Sequence, residues 1–191
     1  MGAAAALTLA YLPNLITIGR LVLTPVTVMA MVDGRFGIAF WLFMVAGLSD
    51  AIDGIVARHF NARTMIGAYL DPIADKVLLV SVYVTLGVND QLPHWLVILV
   101  VARDVAIVGG VLLFATIGTG PAVHPLMISK VNTAMQIVLA VVVLGQLGLD
   151  IADFGLTPVF CYIVGATTIA SGVAYLVVWS RKAMALEKGD G

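Results

Sequence analysis

Four aspartates, Asp50, Asp53, Asp71 and Asp75, fall in one stretch, DAIDGIVARHFNARTMIGAYLDPIAD, flanked on both sides by segments apolar enough to cross a bilayer. One Asp at the centre of a spanning helix costs roughly 2.5 to 3.5 kcal/mol. The simplest account of four is a polar, water-accessible pocket facing the interior of a bundle, with cations there to offset their repulsion; interfacial or capping carboxylates without a ligand are the alternative. The surrounding composition fits: of 191 residues, 61% are hydrophobic and 11% charged, against roughly 25% charged in an ordinary soluble domain. Mean hydropathy is +1.08. The chain therefore reads as an all-α integral membrane protein. Residues 1–191 are expected to form one domain, since division would leave too few spans to enclose the acids. A net charge of −1 leaves no basic face for nucleic acid.

A span needs about 20 mostly apolar residues, and breaks at Gly, Pro and charge clusters leave six of them, at about 15–32, 38–59, 66–88, 93–117, 127–148 and 158–180. The apolar stretch within 1–14, ending at Pro13 and Asn14, is expected to form a short interfacial helix. It lacks the basic n-region of a cleavable signal and the arginines of a transit peptide, so neither is expected. With the N-terminus cytoplasmic, the inner side receives Arg20, Arg58, Arg63, Lys130, Arg181, Lys182 and Lys188, and the outer side Arg35 with Asp33, Asp90, Asp150 and Asp153. The positive-inside rule then sets both termini, and the opening of the acidic stretch, toward the cytoplasm. Short connections favour antiparallel neighbours. Gly109, Gly110, Gly165, Ala166 and Gly172 are small enough to let helices approach closely. The single cysteine, Cys161, reads as a small buried hydrophobe.

On a helix Asp50 and Asp53 are three apart and Asp71 and Asp75 four apart, so each pair shares a face. If the second and third spans fold back at His59–Thr64, Asp53 and Asp71 lie at similar depth and the two faces can share a pocket. An all-carboxylate site suits Mg²⁺ or Mn²⁺, whereas zinc calls for His or Cys. His59, His94 and His124 show no ligand spacing. Gly54 and Gly67 leave room for a bulky ligand at the helix backbone, or serve ordinary packing. Arg58, Lys76, Arg103 and Lys130 can neutralise phosphate groups. Arg103 can equally pair with Asp104 alone, and Arg20, Arg58 and Lys130 can be inside charges that set topology.

These residues carry a resemblance. Asp50-x-x-Asp53-Gly54-x-x-Ala57-Arg58, eight residues, then Gly67-x-x-x-Asp71-x-x-x-Asp75 resembles the whole signature of the CDP-alcohol phosphatidyltransferase family, a family of six-helix membrane enzymes that are usually dimers. The resemblance implies a six-helix bundle and a homodimer. It implies a two-metal centre on Asp50, Asp53 and Asp71, a general base at Asp75, and a nucleotide and diphosphate site shaped by Gly54, Ala57, Arg58 and Gly67. Leu12–Pro25, Tyr69–Leu78, Ala102–Gly110 and Pro125–Gln136 are most similar to the CMP-forming cardiolipin synthases of that family, with Arg103-Asp104 and the run Ser129 to Thr133 as the distinguishing cues.

The reaction so implied is transfer of a phosphatidyl group from CDP-diacylglycerol to phosphatidylglycerol, with CMP released at the cytoplasmic side and Arg103 and Lys130 on the acceptor's phosphate. A bacterial plasma membrane is the expected location, ahead of a mitochondrial inner membrane. Two alternatives stay open. A sister enzyme such as a phosphatidylglycerophosphate synthase would use glycerol 3-phosphate. An ion-coupled transporter would use the aspartates as a cation path, but the broken helices and inverted repeat that favour it are not apparent in the sequence.

Overall fold

Each apolar segment becomes one helix. The computed structural model describes residues 3–60, 65–116 and 126–189, with side chains described for 18–49, 76–110, 126–181 and 184. Its described elements are six helices and no strands: α1 (Ala3–Val32), α2 (Phe36–Phe60), α3 (Met65–Val88), α4 (His94–Thr116), α5 (Met127–Gly148) and α6 (Leu156–Gly189). The expected spans differ from these mainly at the two ends of the chain. From Ala3 the stretch read as an interfacial helix is continuous with the first span; its side chains lie outside the described ones. At the other end α6 runs on to Gly189 through SRKAMALEKG, because Arg, Lys, Ala, Met, Leu and Glu are strong helix formers whether or not lipid surrounds them.

Three helices stop in the same way. After α1, Arg35 N–H donates to the Ala30 carbonyl at 2.8 Å and Gly34 N–H to Met31 at 3.1 Å, with Gly34 at φ +72°. This is a Schellman cap, which satisfies carbonyls that the helix end leaves open. After α3 the pattern repeats, with Gln91 to Leu86 at 2.8 Å and Asp90 to Gly87 at 3.1 Å, and Asp90 at φ +57°. After α5, Ile151 N–H reaches Gln146 at 3.2 Å around Asp150 at φ +53°. Asp90 and Asp150, two of the four aspartates assigned to the outer side, thus have a local task, since Asp tolerates the left-handed region better than most side chains.

The chain forms two compact units, residues 1–91 with 140–153, and residues 92–139 with 154–191. In the first, α1 packs against both α2 and α3, around Met31, Ala39, Val82, Tyr83, Leu86 and Leu144, all inaccessible to solvent. In the second, α4 packs against α6, around Leu96, Val100, Leu139 and Val164. Large apolar side chains such as Val22, Met29, Trp41, Ile98, Val105 and Leu176 point outward, while Thr24, Thr27, Arg103, Asp104, Asn132, Gln136, Thr168 and Ser171 are buried. That inversion suits lipid surroundings. Among the described residues, Met127–Gly148 and Leu156–Arg181 are long and apolar enough to cross a membrane.

The close helix approach expected at small residues occurs at a pair the sequence did not single out. A Cβ on Gly148 would stand 2.7 Å from the Gly37 Cα and 2.8 Å from the Phe36 carbonyl oxygen, so α2 and the end of α5 meet backbone to backbone. Gly110 and Gly165 instead seat rings, those of Trp179 and Trp95, and Gly109 has nothing within 4 Å of its Cβ position. Cys161 is buried, as expected.

The cap geometry predicts opposite effects for two substitutions at Asp90. Asp90→Gly should raise stability by up to about 1 kcal/mol, because glycine meets no steric cost at positive φ, whereas Asp90→Val should lower it by about 1 to 2 kcal/mol. Thermal unfolding in detergent checks both; a stabilising valine would contradict the assignment.

Candidate active site

The motif residues occupy two helices of the first unit. Asp50, Asp53, Gly54, Ala57 and Arg58 are on α2, and Gly67, Asp71 and Asp75 on α3. Both helices are unbroken through these positions, so the three- and four-residue spacings set each aspartate pair on one helical face. Both also pack on α1. The side chains of residues 50–75, and with them every motif residue, lie outside the described ones, as do residues 61–64 between the two helices. Just before the motif, Ser49 Oγ donates to the Val45 carbonyl at 2.7 Å.

Arg20 on α1 is 4% exposed. A cation that only sets topology reaches for the interface along its flexible stem; Arg20 is instead turned inward. Thr24 and Thr27 on the same helix donate to the carbonyls of Arg20 and Leu23, at 2.9 and 2.8 Å. Their hydroxyls are thus satisfied inside their own helix.

In the second unit the other predicted cation, Arg103, sits at the centre of a buried polar cluster. Nη1 donates to Asp104 Oδ1 at 2.6 Å, both side chains being under 5% exposed. Nε donates to Ser171 Oγ at 3.2 Å, and Nη2 to Ser171 Oγ and Ser129 Oγ, each at 2.5 Å. The guanidinium carbon lies 5.9 Å from the centre of the Tyr175 ring, close enough for cation–π attraction. Gly172 lies under the stem, its Cβ position 4.0 Å from Arg103 Cγ. Helices α4, α5 and α6 thus each contribute to holding one planar group.

A second rung lies one turn away. Asn132 Oδ1 accepts from Thr167 Oγ1 at 2.8 Å and from Thr168 Oγ1 at 2.9 Å. From Ser129 to Asn132 the α5 number rises by three, while from Ser171 to Thr168 the α6 number falls by three, so the helices run antiparallel along a polar seam. Asn132 is fully buried, and its Nδ2 has no hydrogen-bond partner among the described residues. Leaving such a donor unmet costs about 1 to 3 kcal/mol.

Of the two predicted acceptor cations, Arg103 is therefore buried and engaged, while Lys130 is exposed. The residue of that run that reaches Arg103 is its neighbour Ser129. Sequence reading missed Thr168, Ser171 and Tyr175. Their signal was present as polar side chains at i, i+3 and i+7 within an apolar span, but the small residues between them read as packing.

Comparison with known proteins bears on the whole arrangement. A family model described as CDP-alcohol phosphatidyltransferase matches residues 10–181. A human cardiolipin synthase (CMP-forming) is 32% identical over 180 residues, covering 86% of this chain and 60% of the relative. A chloroplastic CDP-diacylglycerol–glycerol-3-phosphate 3-phosphatidyltransferase of Oryza sativa subsp. japonica is 37% identical over 183 residues, covering 86% and 55%. The Bacillus subtilis CDP-diacylglycerol–glycerol-3-phosphate 3-phosphatidyltransferase is 31% identical over 180 residues, covering 86% and 92%. The chain thus spans a little over half the length of the human and rice relatives and nearly all of the bacterial one.

The Arg103–Asp104 pair supports a prediction of its own. Asp104→Asn leaves a buried cation without its counter-charge and should cost about 3 to 5 kcal/mol, while replacing both partners together, Arg103→Met with Asp104→Leu, should cost much less. Unfolding of the single and double variants in detergent measures this; equal losses in the two would count against a coupled pair.

Proposed function

The chain belongs to the CDP-alcohol phosphatidyltransferase family, and from that premise we propose that it transfers the phosphatidyl group of CDP-diacylglycerol to phosphatidylglycerol, forming cardiolipin and CMP. Membership makes it a transferase of a membrane-bound family. The choice of acceptor rests on one observation, the charge balance around Arg103. Its positive charge is matched by Asp104 in direct contact, so with Lys130 the proposed phosphate site has one net positive charge, which a soluble dianion such as glycerol 3-phosphate exceeds. A lipid phosphodiester carries a single negative charge, and its oxygens can replace the Ser129 and Ser171 hydroxyls at Nη2 without breaking the ion pair. The two distinguishing cues of the cardiolipin-synthase resemblance, Arg103-Asp104 and the run from Ser129, also meet in this cluster, through the Ser129 contact. The B. subtilis relative, of whose length the chain covers 92%, favours a second reading, with glycerol 3-phosphate as acceptor.

In the proposed site Asp50, Asp53 and Asp71 hold two Mg²⁺ or Mn²⁺ ions. The fit rests on an all-oxygen donor set carried on two unbroken helices that share α1 as a support. When bound, the ions supply charge stabilisation at the diphosphate. Gly54, Ala57, Arg58 and Gly67 shape the nucleotide and diphosphate site. Arg103 and Lys130 take the acceptor's phosphate. Asp75, one turn beyond Asp71, accepts the proton of the attacking hydroxyl, which keeps that oxygen nucleophilic as its bond to phosphorus forms and the bond to CMP breaks. The same reading has the protein in a bacterial plasma membrane, active site toward the cytoplasm, as a homodimer; a monomeric mass for the active protein would remove the last element.

The deciding experiment gives the purified protein CDP-diacylglycerol, Mg²⁺ or Mn²⁺, and either phosphatidylglycerol or glycerol 3-phosphate, and identifies the lipid formed. Cardiolipin formed only with phosphatidylglycerol supports the proposal; a product from glycerol 3-phosphate alone replaces it with the second reading.

Two variants should separate base from ligand. Asp75→Asn should lower turnover by about 100-fold or more while CDP-diacylglycerol still binds. Asp71→Asn should weaken metal and CDP-diacylglycerol binding together. Calorimetry with each component, alongside CMP release, reads both; full activity in the first or unchanged metal affinity in the second would reverse the roles.

A further inference from the structure

Asn132 carries a polar group that the proposed reaction has not used. Its carboxamide is oriented by its neighbours. Thr168 Oγ1 donates to Asn132 Oδ1 and has no other acceptor among the described residues, so the amide oxygen faces α6 and Nδ2 faces away from it. Thr167, also within 2.8 Å of that oxygen, shares its proton with carbonyls of its own helix. The Nδ2 group is fully buried and has no partner among the described residues. Its backbone lies one helical turn from Ser129, which holds Arg103 Nη2. Two N–H donors fixed in place, one rung from a guanidinium and without an acceptor among the described residues, call for an oxygen from outside them.

We propose that Asn132 is a specificity-determining residue for the acceptor, its Nδ2 donating to an oxygen of a glycerol-phosphate headgroup that Arg103 holds by the phosphate. Ser129, Asn132 and Arg103 then form one donor surface, with the charge on Arg103 and the orientation on Asn132. The buried carboxamide discriminates because a partner lacking an oxygen at that point leaves both N–H groups unsatisfied. Thr167 and Thr168 are positioning residues that hold the amide the right way round. This inference rests on the proposed phosphatidyl transfer for its acceptor, and the test separates the two.

Asn132→Leu keeps the approximate volume and removes the donors, and Asn132→Asp keeps an oxygen toward Thr167 and Thr168 while removing the N–H groups. Each variant, as the full chain in detergent, is assayed with phosphatidylglycerol or glycerol 3-phosphate as acceptor, and separately for the rise in melting temperature that added phosphatidylglycerol or glycerol 3-phosphate produces without CDP-diacylglycerol. Both should raise KM for the acceptor about ten-fold or more, leave KM for CDP-diacylglycerol within two-fold, and lose the acceptor-induced thermal shift. Which of the two acceptors shows the effect identifies the source of the headgroup. Unchanged acceptor KM and thermal shift in Asn132→Leu would overturn the proposal and leave the amide satisfied by water. If Asn132→Asp does not fold, Asn132→Leu decides alone: it removes an unmet donor, and the Thr168 hydroxyl that loses its acceptor can turn to a carbonyl of its own helix, so the net change in stability should be small. Absence of any transfer by the wild type, with an acceptor-induced thermal shift that both variants lose, would reject the reaction and retain the site.

Discussion

A charged group inside an apolar bundle must bring or find its compensation, and this requirement orders the second unit. Arg103 can be buried only because Asp104 balances its charge and two serines and an aromatic face take up the rest of its surface. Those partners come from three helices. The guanidinium therefore acts as a clasp whose closure fixes α4, α5 and α6 at one level, and directional contacts of this kind define a single arrangement where apolar contact alone would tolerate several. The same requirement shapes the first unit differently: Thr24, Thr27 and Thr85 donate to carbonyls within their own helices, so their polarity makes no demand on neighbouring elements.

Function in such a family depends on collecting polar groups in a place that lipid would otherwise forbid. In the proposed reaction the acids of α2 and α3 hold the metals and the base, while the buried seam of α4, α5 and α6 bears on the choice of acceptor. A headgroup that enters such a seam must replace bonds already made. Selectivity then follows from which hydroxyls can be displaced and which donors are waiting, more than from net attraction.

Much of this was legible in the sequence. The six helices follow from apolar run length and from breaks at Gly, Pro and charge, because those properties are local. The family followed from a spaced motif for the same reason. What escaped was tertiary. Ser171 and Thr168 look like ordinary small residues of an apolar span until Arg103 and Asn132 are set against them, and nothing near Gly37 announces that its partner is Gly148, more than a hundred residues away. From sequence Arg20 reads as an inside charge because its position in the chain is all that sequence offers, whereas its burial is set by the face of α1 it occupies. Lys130 and Ser129 belong to one run in the sequence, yet adjacent residues on a helix point about 100° apart, and the one that meets Arg103 is Ser129.

The Arg103–Asp104 contact joins neighbours in the chain, and this bears on biosynthesis. The serines that complete the cluster belong to α5 and α6, which are synthesised after α4. An ion pair between adjacent residues needs neither of them. The fourth helix can therefore carry its arginine into the bilayer with the counter-ion already beside it, and the later helices arrive at a charge that has been neutralised, with only its remaining hydrogen bonds still to be made.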